Sequence, residues 1–455
     1  MRKYLVFAII VLPVFISHFA STAVSVAFPT IVSHFGTSLV LAGWVLNIYI
    51  LVTIGSIPVT AKLSDTVGRR ATFMVCLGSF TIGSFLCSIA PDIGWLIFFR
   101  VIQAIGGGGF ISAATGIVID EYPAMRQRLI GLTVSVATFG AIAGPNIGGV
   151  IVEYLGWQSI FWVNVPIMII TMVLAKRFIK ADVKGGSPRE IDFPGVGLLL
   201  GFSSAMVISV TLLDKAYHIP STLIVLLALL GILFLVMFVY RCKNHQGAVF
   251  SFQMLADRPF LAANLFNFAY GACAENGVMS LLPLYAVSVY GLGVLESGLA
   301  VTPRSLGVFA ISIVASLSIM KWGYRRPIIL GTLVIALGLV LLALEPGVMT
   351  LGEIGLPPIA IVMLLALVVG IGGGMVNPTA NNASVDLMPE KAASITGLRQ
   401  IFRRIGQTTG IAVSTLVLES SASIPQGFTR LFIGFAILTL VSIVAVFSIP
   451  ARPKR

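Results

Sequence analysis

The chain has 455 residues, of which 57% are hydrophobic and only 10% charged, with a formal net charge of +12. A soluble protein carries about 25% charged residues, and one soluble core cannot bury this much apolar surface. The basic residues are spread over many short loops, which argues against nucleic-acid binding. The four cysteines, Cys76, Cys87, Cys242 and Cys273, lie in or beside apolar runs without ligand spacing, which argues against a disulfide or metal framework.

A helix crossing roughly 30 Å of hydrocarbon needs about 20 apolar residues. Fourteen runs qualify: 4–28, 42–62, 71–90, 95–119, 129–153, 158–179, 193–213, 219–241, 260–289, 295–320, 327–345, 356–380, 393–419 and 428–449. The first follows Met1-Arg2-Lys3 with no convincing cleavage site, so it reads as a membrane helix rather than a leader. An even number of spans puts both termini on one side. Arg69, Arg70, Arg126, Arg128, Lys176, Arg177, Arg241, Lys243, Arg325, Arg326 and most other basic residues fall in one set of loops; the other set holds only Lys215 and Arg430. The positive-inside rule makes the first set, with both termini, cytoplasmic. The expected location is the cytoplasmic (inner) membrane, crossed many times.

In chain order, the first span carries Ser17, His18, Ser21, Thr22 and Ser25, and the second opens with Trp44, Asn47 and Tyr49. The loop after it, Ala61-Lys62-Leu63-Ser64-Asp65-Thr66-Val67-Gly68-Arg69-Arg70, joins an acid and two arginines around a turn at Gly68. It reads as a clamp between helices or, more plainly, as a solvated loop. Arg100 opens the fourth span, with Gln103 one turn on and four glycines, Gly106 to Gly109, behind it. No lysine and serine or threonine follow these glycines, so they do not form a Walker-type phosphate loop. The fifth span contains Gly140, Gly144-Pro145 and Gly148-Gly149. In water each such glycine costs a helix about 1 kcal/mol against alanine; in a membrane, small residues let two helix backbones approach.

The same stretch recurs. Gly106, Gly107, Gly108, Asp120, Pro123, Gly131, Leu132, Gly140 and Gly144 map at one constant offset onto Gly372, Gly373, Gly374, Asp386, Pro389, Gly397, Leu398, Gly406 and Gly410. Arg100 maps onto Ala366, so its charge is not duplicated. Repeats of whole helix bundles are a transporter signature. The expected fold is all-α integral membrane, with two six-helix repeats and two intervening helices. Residues 1–180 form one bundle, 181–258 a charged linker and the two extra helices, and 259–455 the second bundle.

In the second half, the ninth span holds Glu275, the acid placed deepest in the membrane, with Asn264, Asn267, Tyr270 and Asn276. An ionisable residue there is costly and by default functional; the plainer reading is a salt bridge to a buried arginine. Arg304 follows Pro303 in the tenth span, and Arg399, Arg403 and Arg404 lie in the thirteenth. Arg399 and Arg403 are four apart and share a helix face.

These residues carry a resemblance over nearly the whole chain. It is similar to the major facilitator superfamily, specifically its fourteen-helix drug:proton antiporter branch. Residues 61–70 match the loop motif after helix 2, with Ala61 where glycine is usual. Arg100, Gln103 and Gly106 match the helix 4 motif. Gly140, Gly144, Pro145, Gly148 and Gly149 match the helix 5 antiporter motif. Gly156-Trp157 and Phe161-Trp162-Val163-Asn164-Val165-Pro166 match the start of helix 6. The aspartate that this branch carries in helix 1 is Ala20 here. His18 is a candidate substitute, although two residues turn a helix by about 200° and point it away from Ala20.

Together, the repeat and the resemblance imply a secondary active transporter that exports small hydrophobic or amphipathic compounds, coupled to protons, by alternating access. The alternative is a proton-independent facilitator, or an exporter of a lipid-like or anionic metabolite. An enzyme is not expected, since no metal cluster or nucleophile–base pair is evident; nor is a cofactor. The implied partners are a small-molecule substrate, protons, the lipid bilayer and, in a double-membrane bacterium, a periplasmic adaptor. Glu275, Arg100 and His18 are the candidate proton-coupling residues, with Arg100 as the charge expected to oppose Glu275. Asp65, Gly68, Arg69 and Arg70 form the candidate gating loop. Trp44, Asn47, Gln103, Asn164, Asn267, Tyr270, Asn276 and Arg304 are the candidate cavity residues.

Overall fold

The computed structural model describes residues 2–180, 192–214, 218–245, 248, 250, 252–275, 277–344, 350–351, 354–387, 392–449 and 451. Residues 181–191 of the charged linker, Lys215, Asn276 and Lys391 lie outside the described residues, as does the side chain of Asp65. Among the described residues the regular secondary structure is helical except for a two-residue antiparallel pair, Thr350–Leu351 with Ile354–Gly355. Thirteen described stretches are long and apolar enough to cross a membrane. The span expected at 393–419 is helical as α16 (Ala392–Glu419) but is not among them, because Arg399, Gln400, Arg403, Arg404 and Gln407 dilute its apolar residues. All four cysteines are buried and none forms a disulfide.

The chain divides into two compact units. The first comprises Met1–Thr37, Trp44–Gly201 and Gly247–Val249. In it α1 (Arg2–Phe35) runs along α5 (Arg126–Leu155), and α3 (Arg69–Ser88) along α4 (Ile93–Glu121). Glycines make both approaches. A Cβ at Gly140 would strike the Phe15 carbonyl, and one at Gly144 would sit 2.7 Å from that of Phe19. At Gly148 it would lie 2.8 Å from the Ala23 Cβ, and Gly149 beside it is buried. Pro145 lies inside α5 without ending it. On α4, Gly106 faces the backbone of Cys76 and Phe80 in α3. Gly108 faces Thr53 and Ser56 of α2 (Leu39–Thr66), and Gly107 meets the Tyr49 hydroxyl.

The second unit comprises Ser38–Gly43, Phe202–Gln246 and Phe250–Arg455. Here α15 (Pro358–Val385) packs between α13 (Val294–Trp322) and α14 (Arg325–Ala343), and α17 (Ile424–Val446) lies on α14. The helix α11 (Arg258–Tyr270) packs on α16. A Cβ at Gly406 would strike the Phe268 carbonyl, and one at Gly410 would sit 2.7 Å from that of Ala272. Phe15 and Phe19 in the first unit, and Phe268 and Ala272 in the second, are spaced alike. The duplicated glycines thus build the same helix–helix seam twice. In the same unit, α9 (Ser221–Asn244) has a mean hydropathy of 3.1 and buries only 11% of its most apolar window, as a lipid-facing helix does.

The ninth expected span, 260–289, is not one continuous helix. After α11 the chain makes a π-turn at Gly271–Glu275, then a 3₁₀ turn at Val278–Leu281, and resumes as α12 (Leu282–Tyr290). The Gly277 N–H reaches back to the Gly271 carbonyl at 3.1 Å, wider than an α-helical step. Glycine suits this place: a Cβ at Gly277 would strike the Ala272 carbonyl. A Pro283 N–H is also missing from the start of α12. Irregular backbone at membrane depth persists only where protein satisfies its polar groups, and an arginine does so here.

Candidate functional site

That arginine is Arg304 of α13. Its Nη2 donates to the Ala274 carbonyl at 2.8 Å and also to the Glu275 carbonyl. These oxygens stand at the carboxyl end of the interrupted helix, where the backbone dipole favours a cation. The Glu275 carboxylate turns instead to α16. Its Oε1 pairs with Arg403 Nη1 at 3.0 Å, and its Oε2 accepts from Gln407 Nε2 at 2.8 Å. The side chains of Arg403 and Glu275 remain 15% and 19% exposed, so the pair is not sealed. The π-turn brings the acid to this face, one turn of α16 supplies both partners, and Gly271, pressed against the Arg403 backbone, lets the two helices close.

One turn earlier on α16 lies Arg399, 5% exposed. Its Nε donates to Asn267 Oδ1 at 3.0 Å and its Nη1 to Asn381 Oδ1 at 2.6 Å. Its Nη2 reaches the Asn377 carbonyl and Oδ1 at 3.2 and 3.1 Å. Every one of these acceptors is neutral. Arg403 also reaches Asn377 Oδ1 at 3.4 Å and donates to Gln400. Tyr270 is buried in the same cluster, its hydroxyl facing Gly373. A cavity of about 10 Å³ beside Tyr270 and Thr439 has room for one water at most.

In the first unit Arg100 is 1% exposed. Its Nε donates to the Val45 carbonyl at 3.1 Å, its Nη1 to Gln103 Oε1 at 2.7 Å, and its guanidinium carbon lies 4.3 Å from the centre of the Tyr49 ring. Gln103 passes the bond on to Ser84 at 2.8 Å. Asn47 and Asn164 are buried, each with its Oδ1 unpartnered among the described residues, and Trp44 is half-buried. His18 Nδ1 lies 2.9 Å from the Val14 carbonyl and 3.3 Å from Ser17 Oγ, both on its own helix. Within the second unit the cation on the Glu275 carboxylate is Arg403, and the Arg100 contacts just named lie within the first unit.

At the candidate gating loop, Gly68 has a φ of 120°, the left-handed region where glycine is at home. Arg69 pairs with Asp120 at 2.9 Å and donates to the Gly116 carbonyl, and Arg70 donates to the Lys176 carbonyl at 2.6 Å. The second unit answers with different chemistry. The Tyr324 hydroxyl donates to Asp386, the repeat mate of Asp120, while Arg325 donates to the Phe447 and Ile449 carbonyls at 2.7 and 2.8 Å. Burial, then the Asp386 hydrogen bond, pushes the Tyr324 hydroxyl pKa up. Sequence reasoning did not assign roles to Asp120, Asn377, Asn381 or Gln407. Asp120 and Asp386 were visible as repeat positions, and Gln407 lies one turn beyond Arg403 on its face.

A membrane chain made of one helical seam built twice, with ionisable groups gathered deep in one copy, has the construction of a secondary transporter. The chain belongs to the Major Facilitator Superfamily, whose model matches residues 10–411 and again 298–455. It is 27% identical over 421 residues to the multidrug transporter protein MdtP of Bacillus subtilis, covering 92% of this chain and 76% of that protein. It is 28% identical over 437 residues to the riboflavin transporter RibZ of Clostridioides difficile, covering 94% and 91%. Among solved structures, a bacterial homologue of the human lysosomal transporter Spinster superposes with a TM-score of 0.72 at 15% identity, covering 98% of this chain and 97% of that one; this likeness concerns the fold.

Proposed function

We propose that the protein exports small, largely apolar organic compounds across the cytoplasmic membrane by alternating access, with both termini cytoplasmic, and that Glu275 is its proton-exchanging group. The names of relatives such as MdtP support the export of a broad substrate class. The observation that supports the coupling role is the Glu275–Arg403 pair, which is part-buried within an apolar span and open at its edge. Low dielectric favours the neutral carboxyl and the neighbouring guanidinium favours the charged one. A movement that separates the two therefore changes which form is preferred. The helix 1 aspartate of similar transporters is Ala20 here, so the exchange falls to this unit.

The test is transport in vesicles under an imposed pH gradient, together with proton exchange by purified protein on substrate addition. Glu275→Gln keeps shape and hydrogen bonding and is expected to lose gradient-driven transport and substrate-linked proton exchange while retaining binding. Glu275→Asp is expected to keep part of both. Coupling at the wild-type level in Glu275→Gln would overturn the assignment.

A further inference from the structure

Among the described residues, the buried charges of the second unit do not cancel. Arg304, Arg399 and Arg403 cluster around Glu275, the carboxylate the described residues bring to them. Glu275 neutralises Arg403. Arg304 is turned to two backbone carbonyls at a helix end, where a cation is at home. Among the described residues Arg399 has no carboxylate and no helix end within hydrogen-bond reach. Its hydrogen bonds go to the amide oxygens of Asn267, Asn377 and Asn381 and to one backbone carbonyl. Asparagine oxygens orient a guanidinium without cancelling its charge, and an uncancelled charge at membrane depth is expensive. A packing role alone would be served as well by a neutral side chain or by an aspartate at 377 or 381. The Nε atoms of Arg304 and Arg403 are also buried and unpartnered among the described residues.

We propose that Arg399, held in place by Asn267, Asn377 and Asn381, and flanked by Arg403, is the recognition site for an anionic group, a carboxylate or a sulfonate, on an otherwise apolar substrate. A guanidinium has five N–H donors; the asparagines and the Asn377 carbonyl take four, leaving one on Nη1 and the full positive charge to meet an oxyanion. An inside-negative membrane potential favours outward movement of an anion, in keeping with export. The inference rests on the transport reading above and narrows its substrate class.

The experiment uses the full-length protein in lipid nanodiscs and a panel of aromatic and aliphatic skeletons, each prepared as carboxylate, primary amide and amine; 1-naphthoate, 1-naphthamide and 1-naphthylmethylamine are one such set. Binding is read by thermal shift and calorimetry, and flux is measured in proteoliposomes for every member that binds. Carboxylates are expected to bind at least tenfold more tightly than their amides, and the amines not to bind. Asn381→Asp places a carboxylate on Arg399 Nη1 from within. It is expected to lower anion affinity at least tenfold while leaving the unliganded Tm unchanged or higher, which a purely structural arginine would not produce. Arg399→Lys keeps the charge, loses the planar guanidinium that the asparagines hold in place, and is expected to weaken carboxylate binding several-fold. Absence of carboxylate binding, amines binding as well as carboxylates, or unchanged anion affinity in Asn381→Asp would each overturn the proposal. Flux of amines without carboxylate binding would sink the anion site and leave the transport reading standing. Carboxylate binding without flux would do the reverse.

Discussion

The α1–α5 seam of the first unit and the α11–α16 seam of the second share a backbone and differ in what fills it. Gly140 and Gly144 admit the carbonyls of Phe15 and Phe19; Gly406 and Gly410 admit those of Phe268 and Ala272. Around that shared contact, the repeat positions of Arg399, Arg403 and Gln407 in the first unit are Thr133, Ala137 and Ala141, and those of Asn377 and Asn381 are Ile111 and Thr115. One copy is nearly all packing, while the other keeps the packing and adds a charged network. The glycines are therefore the price of the architecture, and the polar residues are an independent layer carried by one copy.

The sharpest way to break this contrast is Arg403→Gln, which leaves Glu275 without its cation. Removing one partner of a buried ion pair costs about 3–5 kcal/mol, discounted here because the pair is partly exposed. The double variant Glu275→Gln/Arg403→Gln is expected to recover most of the loss, as read by Tm of the purified protein. Ala137→Gln, at the corresponding place in the first unit, tests whether that copy tolerates a polar group where it has none.

Next in size are Gly140→Leu and Gly406→Leu. Each forces a side chain onto a partner helix's carbonyl, at or beyond the upper end of the about 1–3 kcal/mol typical of overpacking. If the two seams are equivalent, both variants lose a similar fraction of monodisperse protein on size exclusion. A tolerant seam in one unit would show that the duplication is not mechanical. Gly144→Leu should behave as Gly140→Leu does.

The loop clamps give the smallest effects. Tyr324→Phe removes a part-buried bond to Asp386 and is expected to cost about 1 kcal/mol. Arg69→Gln, at a pair whose Asp120 side chain is 60% exposed, should cost less than about 1 kcal/mol. Because the Tyr324 pKa is raised in the folded protein, its contribution is complete below the ordinary tyrosine value of about 10 and is lost as pH rises beyond it. The stability difference between wild type and Tyr324→Phe, followed by thermal melts from pH 8 upward, should shrink with alkalinity.

Much of this was legible in the sequence because it is written in composition and in the repeat. Apolar run lengths located the spans, and the glycine offset foretold that two helix pairs pack alike. The missing parts depend on direction around a helix axis. Glu275 and Arg403 were each visible, but a uniform α-helical turn through residues 260–289 does not aim one at the other; the π-turn does. Arg100 is a lone buried cation in sequence; Gln103, one turn on, was visible beside it, but Val45 and the Tyr49 ring come from α2, whose approach no local pattern encodes. The span at 393–419 was easy to recognise as a helix, yet its arginines keep it below the apolarity of its neighbours, because it trades lipid compatibility for polar contacts inside its unit.

The π-turn at Gly271–Glu275 also has a meaning in terms of chain length. A π-turn holds one residue more than the α-turn it replaces, and α1 shows no such widening. The two seams match at Phe19 and Ala272, and the wider turn around Ala272 rotates the residues after it by about 100° relative to an uninterrupted α-helix. The difference between a seam of threonine and alanine and a seam with an acid facing an arginine thus includes the path of the backbone as well as the identity of the side chains. One wider turn, held by glycines and by Arg304, is enough to redirect a side chain that an uninterrupted α-helix would leave facing elsewhere.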